Sequence, residues 1–219
     1  MSTHLVTGAN RGIGLELCRQ LSGRGDDVIA VCRSAGEDLA ALGVEVVEGV
    51  DVTNDDSVAR LVSVVGDRRI DWLINNAGIL EGTSLDHLDW SAMERQFQVN
   101  SLGPLRVTAA LVPSLGEGSK VGIITSRMGS IDDNTSGGAY GYRMSKAAVN
   151  IAGKSLSLDL APQGIHVAIL HPGLVSTRMT GHSGIPTSES AAGLIARMEG
   201  LGADNSGSFW HANGEILPW

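Results

Sequence analysis

Short apolar segments alternate with segments of helical periodicity along the whole chain of 219 residues. Several of the apolar segments lack alternating polar residues, which is typical of strands buried on both faces of a parallel sheet. The alternation therefore predicts an α/β fold, a doubly wound parallel sheet of about seven strands with helices on both faces. The predicted strands are 5–7, 28–32, 44–50, 72–75, 121–126, 167–171 and 209–212, and the predicted helices are 14–23, 55–66, 90–115, 144–160 and 190–200.

Length and composition indicate one ordinary globular domain over residues 1–219, because neither an internal repeat nor a linker interrupts the pattern. The formal charge of −8 argues against nucleic acid or an anionic membrane as a partner, since nothing would attract phosphates. Cys18 and Cys32 are the only cysteines, without metal-binding spacing or a disulfide framework. The start leaves no room for a signal peptide, and no apolar run reaches membrane-spanning length. We therefore expect a cytoplasmic protein without a bound metal.

The first predicted strand ends in a glycine-rich turn, Gly8-x-x-x-Gly12-x-Gly14, which leads into the first helix. Small residues let the backbone approach a pyrophosphate closely, and the N-terminus of the following helix favours its charge. The spacing differs from the commoner G-x-G-x-x-G, and such a turn alone is equally compatible with a purely structural link between strand and helix.

The end of the second predicted strand bears on the choice of nicotinamide cofactor. An acid there would accept from the ribose 2′-hydroxyl, whereas an arginine would bind a 2′-phosphate. Arg33 stands there without an acid, and Arg11 in the glycine turn supplies a second cation, so the sequence favours NADP(H), although either could be a solvated surface arginine. Asp51 and Val52, at the end of the third strand, suit an adenine pocket; alternatively, Asp51 caps the helix that begins near Asn54.

Tyr142 and Lys146 are four residues apart on a predicted helix, so their side chains lie on one face. An ammonium about 4 Å from the phenol is worth about 4 kcal/mol at an effective dielectric near 20. That energy lowers the pKa of a tyrosine by up to about three units, which makes Tyr142 a usable acid. Tyr140 is a rival, but its partner at the same spacing is Met144. For a Tyr–Lys pair in isolation, an ordinary helix without catalytic function is the better interpretation.

The chain resembles the classical short-chain dehydrogenases/reductases over essentially its full length. The matching stretches are 7–14, Asp51-Val52, Asn75-Asn76-Ala77-Gly78, Asn100, Ser126, 142–146 and Pro172-Gly173. Within that family the segments 124–130, 139–146 and 209–219 look closest to the sniffer and C-factor type of carbonyl reductase. The resemblance implies a Rossmann fold that binds a nicotinamide dinucleotide, and the missing acid after the second strand favours NADP(H).

The family resemblance also implies a catalytic tetrad. Tyr142 would donate a proton to the carbonyl oxygen, and Lys146 would lower the pKa of Tyr142 and hold the nicotinamide ribose. Ser126 would hydrogen-bond the substrate oxygen, and Asn100 would hold a water that connects Lys146 to a proton relay. Ser130 is a rival to Ser126, but it lies beyond Gly129, where a loop is expected. The stretch from Ser126 to Tyr142 is slightly longer than in the shortest members.

The remaining cofactor contacts implied by the resemblance come from two further segments. Asn76, Ala77 and Gly78 would lie against the cofactor ribose, and Pro172 and Gly173 open a segment that would anchor the nicotinamide carboxamide. With the turn residues and the tetrad, the expected cofactor-binding set is Gly8, Asn10, Arg11, Gly12, Ile13, Gly14, Arg33, Asp51, Val52, Asn76, Ala77, Gly78, Tyr142, Lys146, Pro172, Gly173, Val175 and Thr177. His171 is interpreted as structural.

These features predict an NADPH-dependent carbonyl reductase that also acts as an alcohol dehydrogenase. Loops after the fourth to sixth strands, including 132–138, 181–188 and the residues after Gly78, would form a shallow, open substrate site. A cofactor-binding signalling protein of C-factor type is the alternative, whereas an epimerase or dehydratase would need a larger C-terminal region. The resemblance implies a homodimer or homotetramer through helices 103–115 and 144–160, the latter presenting Ala147, Ala148, Ile151 and Ala152.

Overall fold

The computed structural model describes residues 2–219, and within them seven parallel strands form one sheet in the order β3-β2-β1-β4-β5-β6-β7. The strands are β1 Thr3–Thr7, β2 Asp27–Val31, β3 Glu45–Val47, β4 Trp72–Asn75, β5 Lys120–Ile124, β6 His166–His171 and β7 Phe209–His211. The prediction of a doubly wound parallel sheet is confirmed. The chain reverses its direction of progress across the sheet between β1 and β4, and folds of this kind form their ligand crevice at the carboxyl ends of the strands at such a point.

Seven α-helices within the described residues cover the two faces of the sheet. They are α1 Gly12–Gly23, α2 Glu37–Ala40, α3 Asp55–Val65, α4 Trp90–Phe97, α5 Gly103–Leu111, α6 Tyr140–Asp159 and α7 Thr187–Glu199. Successive strand residues point to opposite faces. Leu5 accordingly packs in the core under α3, α5 and α6, whereas Val6 packs in the core under α1 and α7. None of the helices in residues 2–219 combines the length and hydropathy that a membrane span requires.

The boundaries of several elements differ from the sequence-based prediction. The segment predicted as one helix over residues 90–115 is α4 and α5 joined by a π-helical turn, Gln98–Leu102. Pro104 lacks an N–H and cannot donate to the Asn100 carbonyl, which explains why regular α-helical bonding is interrupted here. Helix α6 begins at Tyr140 instead of residue 144 and α7 at Thr187 instead of 190, while β3 is shorter than predicted and α2 was not predicted.

Both cysteines are free and buried. Burial raises the pKa of the Cys18 thiol to about 12, and burial also raises the pKa of Cys32. Neither thiol is therefore an activated nucleophile, and both behave as small apolar groups in the core.

Candidate active site

A cavity of about 770 Å³ opens along the carboxyl ends of the strands, at the edge where the fold places its crevice. Most of the predicted site residues line this cavity: Gly8, Asn10, Arg11, Gly12, Ile13, Arg33, Asp51, Val52, Asn76, Ala77, Gly78, Tyr142, Lys146, Pro172 and Thr177. The structure thus brings the glycine turn and the Tyr–Lys pair to one cavity. Five predicted residues do not line the cavity wall: Gly14, Asn100, Ser126, Gly173 and Val175.

The glycine turn is packed so closely that side chains are excluded from it. Gly8 adopts a φ of +66°, and a Cβ there would lie 2.8 Å from the Cα of Ala77. A Cβ on Gly14 would collide with the carbonyl oxygen of Gly8. The Asn76 amide fixes the turn by donating to the carbonyl oxygens of Thr7 and Gly8 at 3.0 and 3.1 Å. The turn therefore presents bare backbone and the start of α1 to the cavity.

We expect Gly14→Ala to destabilise the protein by about 1–3 kcal/mol and to weaken dinucleotide binding, because its new methyl group has no space beside Gly8. Gly23→Ala is the matched control in the same helix, since nothing lies within 4 Å of a Cβ there. That change should stabilise by up to about 1 kcal/mol. Urea unfolding midpoints and a fluorescence titration with NADPH measure both effects, and equal behaviour of the two variants would contradict the close packing of the turn.

Three arginines line the cavity without an acidic partner in the described part of the chain, namely Arg11, Arg33 and Arg178, and the first two belong to the predicted cofactor site. Arg11 and Arg33 are exposed and form no ion pair with any residue from 2 to 219. Arg19 also lines the cavity, but it is paired with Glu16. The unpaired guanidinium groups give the wall next to the glycine turn a positive charge, which suits a phosphate.

Asp51 does not cap the following helix. The N-cap residue of α3 is Asn54, whose side chain accepts from the Ser57 N–H at 2.8 Å. The Asp51 carboxylate accepts from the backbone N–H and the hydroxyl of Thr53 at 2.9 and 2.8 Å, and these bonds, led by the backbone one, lower its pKa. The carboxylate is therefore an ionised acceptor at the cavity, as an adenine pocket requires.

Tyr142 and Lys146 line the inner wall of the cavity, and Ser126 lies close to Tyr142 without lining the wall. All three side chains are buried, and Tyr142 and Lys146 project from the first two turns of α6. The Lys146 ammonium donates to the Ile124 carbonyl at 3.0 Å and lies 5.6 Å from the centre of the Tyr142 ring. Ser126 follows β5 and lies next to Tyr142, and its side chain acts to lower the Tyr142 pKa. The Ser126 hydroxyl accepts from the Met128 N–H at 3.1 Å. Two hydroxyl-bearing side chains and an ammonium group thus lie close together at the cavity.

The expectation that Lys146 lowers the pKa of Tyr142 is wrong for this arrangement. Burial raises the pKa of Tyr142, and the neighbouring Ser126 side chain offsets only part of that rise. Burial also lowers the pKa of Lys146 to about 8. The sequence-based estimate assumed an ammonium beside the phenol oxygen, whereas the ammonium is turned toward Ile124. Desolvation therefore dominates both groups.

Asn100 lies in the π-helical turn and is fully buried behind the cavity. Its amide nitrogen donates to the Ile79 carbonyl at 2.9 Å and to the Ser145 hydroxyl at 3.0 Å, and its amide oxygen accepts from the Ile79 N–H at 2.8 Å. Both amide hydrogens are thus already used. The side chain of Asn100 therefore fixes the chain after β4 and has no amide hydrogen left for a further acceptor.

Ser130 and His171, the alternatives for the site residues, form contacts with other groups. The Ser130 hydroxyl donates to the backbone oxygen of Trp219 at 2.9 Å and accepts from the Asp133 N–H at 3.1 Å. His171 packs edge-on against His211, with ring centres 4.8 Å apart, and burial is the main cause that lowers its pKa to about 3. These contacts favour Ser126 over Ser130 and a structural role for His171.

Several residues at the site were not singled out from the sequence. Ser145 is fully buried, and its hydroxyl donates to the Tyr142 carbonyl at 2.8 Å while accepting from Asn100. Arg178, Met179 and His182 line the cavity after the segment of Thr177. The sequence feature that could have indicated Ser145 is its position directly before Lys146. This position places the Ser145 hydroxyl on the same helix, where it contacts Asn100.

Relatives of known name match this chain closely. The short chain dehydrogenase family matches residues 2–185. The 1-hydroxy-2-glutathionyl-2-methyl-3-butene dehydrogenase of Rhodococcus sp. (strain AD45) is 46% identical over 226 residues, covering 100% of both chains. The C-signal protein of Myxococcus xanthus is 46% identical over 154 residues, covering 68% of this chain and 93% of the relative.

Two carbonyl reductases of known structure are also similar to this chain. The NADPH-bound carbonyl reductase from chicken fatty liver has a TM-score of 0.90 at 29% identity and covers 100% of this chain and 99% of its own. The carbonyl reductase Sniffer of D. melanogaster has a TM-score of 0.90 at 30% identity, with 100% of both chains covered. These matches confirm the resemblance that the motifs predicted. The chain belongs to the short-chain dehydrogenase/reductase family.

Proposed function

We propose that this protein is an NADPH-dependent carbonyl reductase, acting in reverse as an alcohol dehydrogenase. The observation that carries the proposal is the placement of Tyr142 next to Ser126 and beside the buried ammonium of Lys146, at the cavity that the glycine turn also lines. An acid, a second hydroxyl and a dinucleotide-sized groove together fit hydride transfer to a carbonyl. Dehydrogenase and reductase relatives support the reaction class.

The cofactor is NADP(H). The residues fit it, because the bare glycine turn would receive the pyrophosphate and the unpaired Arg11 and Arg33 would hold a 2′-phosphate. Asp51 and Val52 would bind the adenine. The chicken carbonyl reductase of the same fold holds NADPH, which supports the choice. The remaining contacts are proposed for Asn10, Gly12, Ile13, Gly14, Asn76, Ala77, Gly78, Pro172, Gly173, Val175 and Thr177.

Bound NADPH supplies the hydride that reduces the carbonyl carbon. Tyr142 donates its phenolic proton to the carbonyl oxygen, so that the product is an alcohol. Ser126 hydrogen-bonds the same oxygen and orients it toward Tyr142. Lys146 is cationic at neutral pH and donates to the Ile124 carbonyl in this structure. With NADPH bound, its ammonium would exchange that carbonyl for the ribose hydroxyls and would then stabilise the phenolate that remains.

The proton lost by Tyr142 is replaced through a water held by Asn100. Because its side chain is committed to Ile79 and Ser145, the backbone carbonyl of Asn100 is the atom proposed to bind this water. Pro104, four residues later, cannot donate to that carbonyl as an ordinary helix residue would. The π-helical turn thus gives Asn100 its place in the proton relay.

The pH dependence of the reduction should follow the protonation state of the Lys146 ammonium. The ammonium is charged below its pKa of about 8 and is neutral above it, whereas Tyr142, with its raised pKa, still carries its proton there. We expect kcat/KM for NADPH in the reduction to be level up to about pH 7 and to fall about tenfold per pH unit above about 8. A profile that stays flat to about pH 10, with the fold intact by circular dichroism, would contradict the role of Lys146.

The substrate site is proposed to lie among the loops after β4, β5 and β6. The Rhodococcus relative is named for an alcohol that carries a glutathionyl thioether. At 46% identity over both full chains, that alcohol and the corresponding aldehyde are the first substrates to test beside simple aldehydes, ketones and α-diketones. Residues 132–138 and 181–188 and the segment after Gly78 would select among them.

A signalling role is the second candidate, because the C-signal relative is 46% identical over 68% of this chain. The variant Tyr142→Phe distinguishes the reductase from the signalling role. A signalling activity that survives this change does not depend on reduction, whereas one that is lost with turnover does.

A cytoplasmic homodimer or homotetramer is proposed from the family pattern. Helix α6 leaves Met144, Ile151 and Leu158 exposed by 56%, 65% and 63%, and Leu105 on α5 is exposed by 38%. Apolar side chains repeated along a helix in this way suit an isologous contact between copies. A monomeric mass by light scattering at micromolar concentration would contradict it.

A further inference from the structure

Helix α6, which carries Tyr142, begins in an unusual way. Its first residue follows Ala139, which has no capping side chain and adopts a left-handed conformation with φ 46° and ψ 42°. A residue at this position normally has an extended backbone and an oxygen in its side chain. Gly137 and Gly138 before it also have positive φ values, of 63° and 64°, but only Ala139 has a Cβ that makes this conformation unfavourable. Something outside the helix must hold its start.

Thr83 provides that support from a different part of the chain. Its backbone carbonyl accepts from the Ala139 N–H at 2.8 Å, and its hydroxyl accepts from the Gly141 N–H at 3.3 Å. The first N–H groups of a helix have no partner within the helix, so the hydroxyl replaces the missing cap. Thr83 is buried, with 6% of its surface exposed, and Gly141 directly precedes Tyr142.

The neighbourhood of Thr83 is built to keep these bonds in place. The buried Gln96 accepts from the Glu81 N–H at 3.0 Å and so fixes the segment that leads to Thr83. A Cβ on Gly141 would lie 2.6 Å from the Gln96 amide nitrogen, so α4 and the first turn of α6 are in close contact. Ile79 and Glu81, just before Thr83, line the cavity. The loop after β4 thus contacts both the cavity and the helix of the acid.

We propose that Thr83 caps α6 from outside the helix and thereby sets the position of the Tyr142 hydroxyl. This inference rests on the proposed function of Tyr142 as proton donor. Thr83 is a positioning residue, because it touches neither substrate nor cofactor and acts through the first turn of α6. The hydroxyl of Tyr142 must meet its acceptor within hydrogen-bond distance, so a small displacement of that turn affects the reaction step more than cofactor binding.

The test compares Thr83→Val, which has nearly the same shape and no hydroxyl, with Thr83→Ser, which keeps the hydroxyl. We expect Thr83→Val to lower kcat about tenfold or more, with KM for NADPH within about twofold of the wild type. Thr83→Ser should keep kcat within about threefold. In the protein without cofactor, the Gly141 amide should exchange its hydrogen about fivefold faster in Thr83→Val than in Thr83→Ser. Thr83→Ala repeats the comparison if Thr83→Val does not fold.

Three results would overturn the inference: unchanged exchange at Gly141 in Thr83→Val, a kcat within twofold of the wild type, or Thr83→Ser as impaired as Thr83→Val. Failure of the proposed function is a separate outcome. It would appear as full turnover in Tyr142→Phe, and amide exchange at Gly141 would still report on the cap by itself.

Discussion

Replacing Tyr142 by phenylalanine is expected to lower kcat about a thousandfold while leaving the dissociation constant for NADPH within about threefold. The change removes only the hydroxyl that would donate the proton, and proton transfer by a positioned side chain contributes about 10²–10⁴ to a rate. The ring is 7% exposed and keeps its packing, so the fold should be retained. Steady-state turnover and a fluorescence titration with NADPH measure the two quantities.

Tyr140→Phe is the control for this experiment, since it lies in the same turn of α6 and is partly exposed. Its kcat should stay within about twofold of the wild type. If Tyr140→Phe lost turnover and Tyr142→Phe kept it, the assignment of the acid would be wrong.

Replacing Arg33 by aspartate should reverse the cofactor preference, lowering the ratio of kcat/KM for NADPH to that for NADH by about a hundredfold or more. The change removes a charge-assisted bond to the 2′-phosphate and introduces a carboxylate that repels the phosphate and accepts from the 2′-hydroxyl of NADH. Arg33 is suited to this role because no acid pairs with it in the described part of the chain.

Arg19→Gln serves as the matched control, because Arg19 lines the same cavity but is paired with Glu16. Its preference ratio should stay within about twofold of the wild type. A ratio unchanged in Arg33→Asp, or a wild type that prefers NADH, would contradict the proposed 2′-phosphate site.

The arrangement of the sheet was predictable because buried parallel strands have a recognisable composition. The segment 72–75 was predicted with its observed bounds, and Asn54 marked the start of α3 by its capping side chain. The π-helical turn was not predicted, because helical periodicity alone hides one extra residue per turn. Pro104 was the available signal. The start of α6 at Tyr140 was missed because its cap, Thr83, lies 58 residues away from Gly141.

The members of the candidate site were predictable from short motifs, but their electrostatics were not. Tyr142 and Lys146 lie on one helical face, as their spacing indicates. The direction in which Lys146 points depends on the Ile124 carbonyl at the end of β5, which spacing along α6 does not reveal. The role of the Asn100 side chain likewise depends on Ile79 and Ser145, two partners from separate segments.

The most direct test of the central claim follows the absorbance of the reduced nicotinamide when wild-type protein is mixed with NADPH, and separately NADH, and a panel of carbonyl compounds. The panel includes aldehydes, α-diketones, ring ketones and the aldehyde derived from 1-hydroxy-2-glutathionyl-2-methyl-3-butene. We predict turnover of NADPH with at least one of these classes, and slower turnover of NADH. Tight binding of NADPH without turnover of any carbonyl in the panel would contradict a reductase and favour the signalling role.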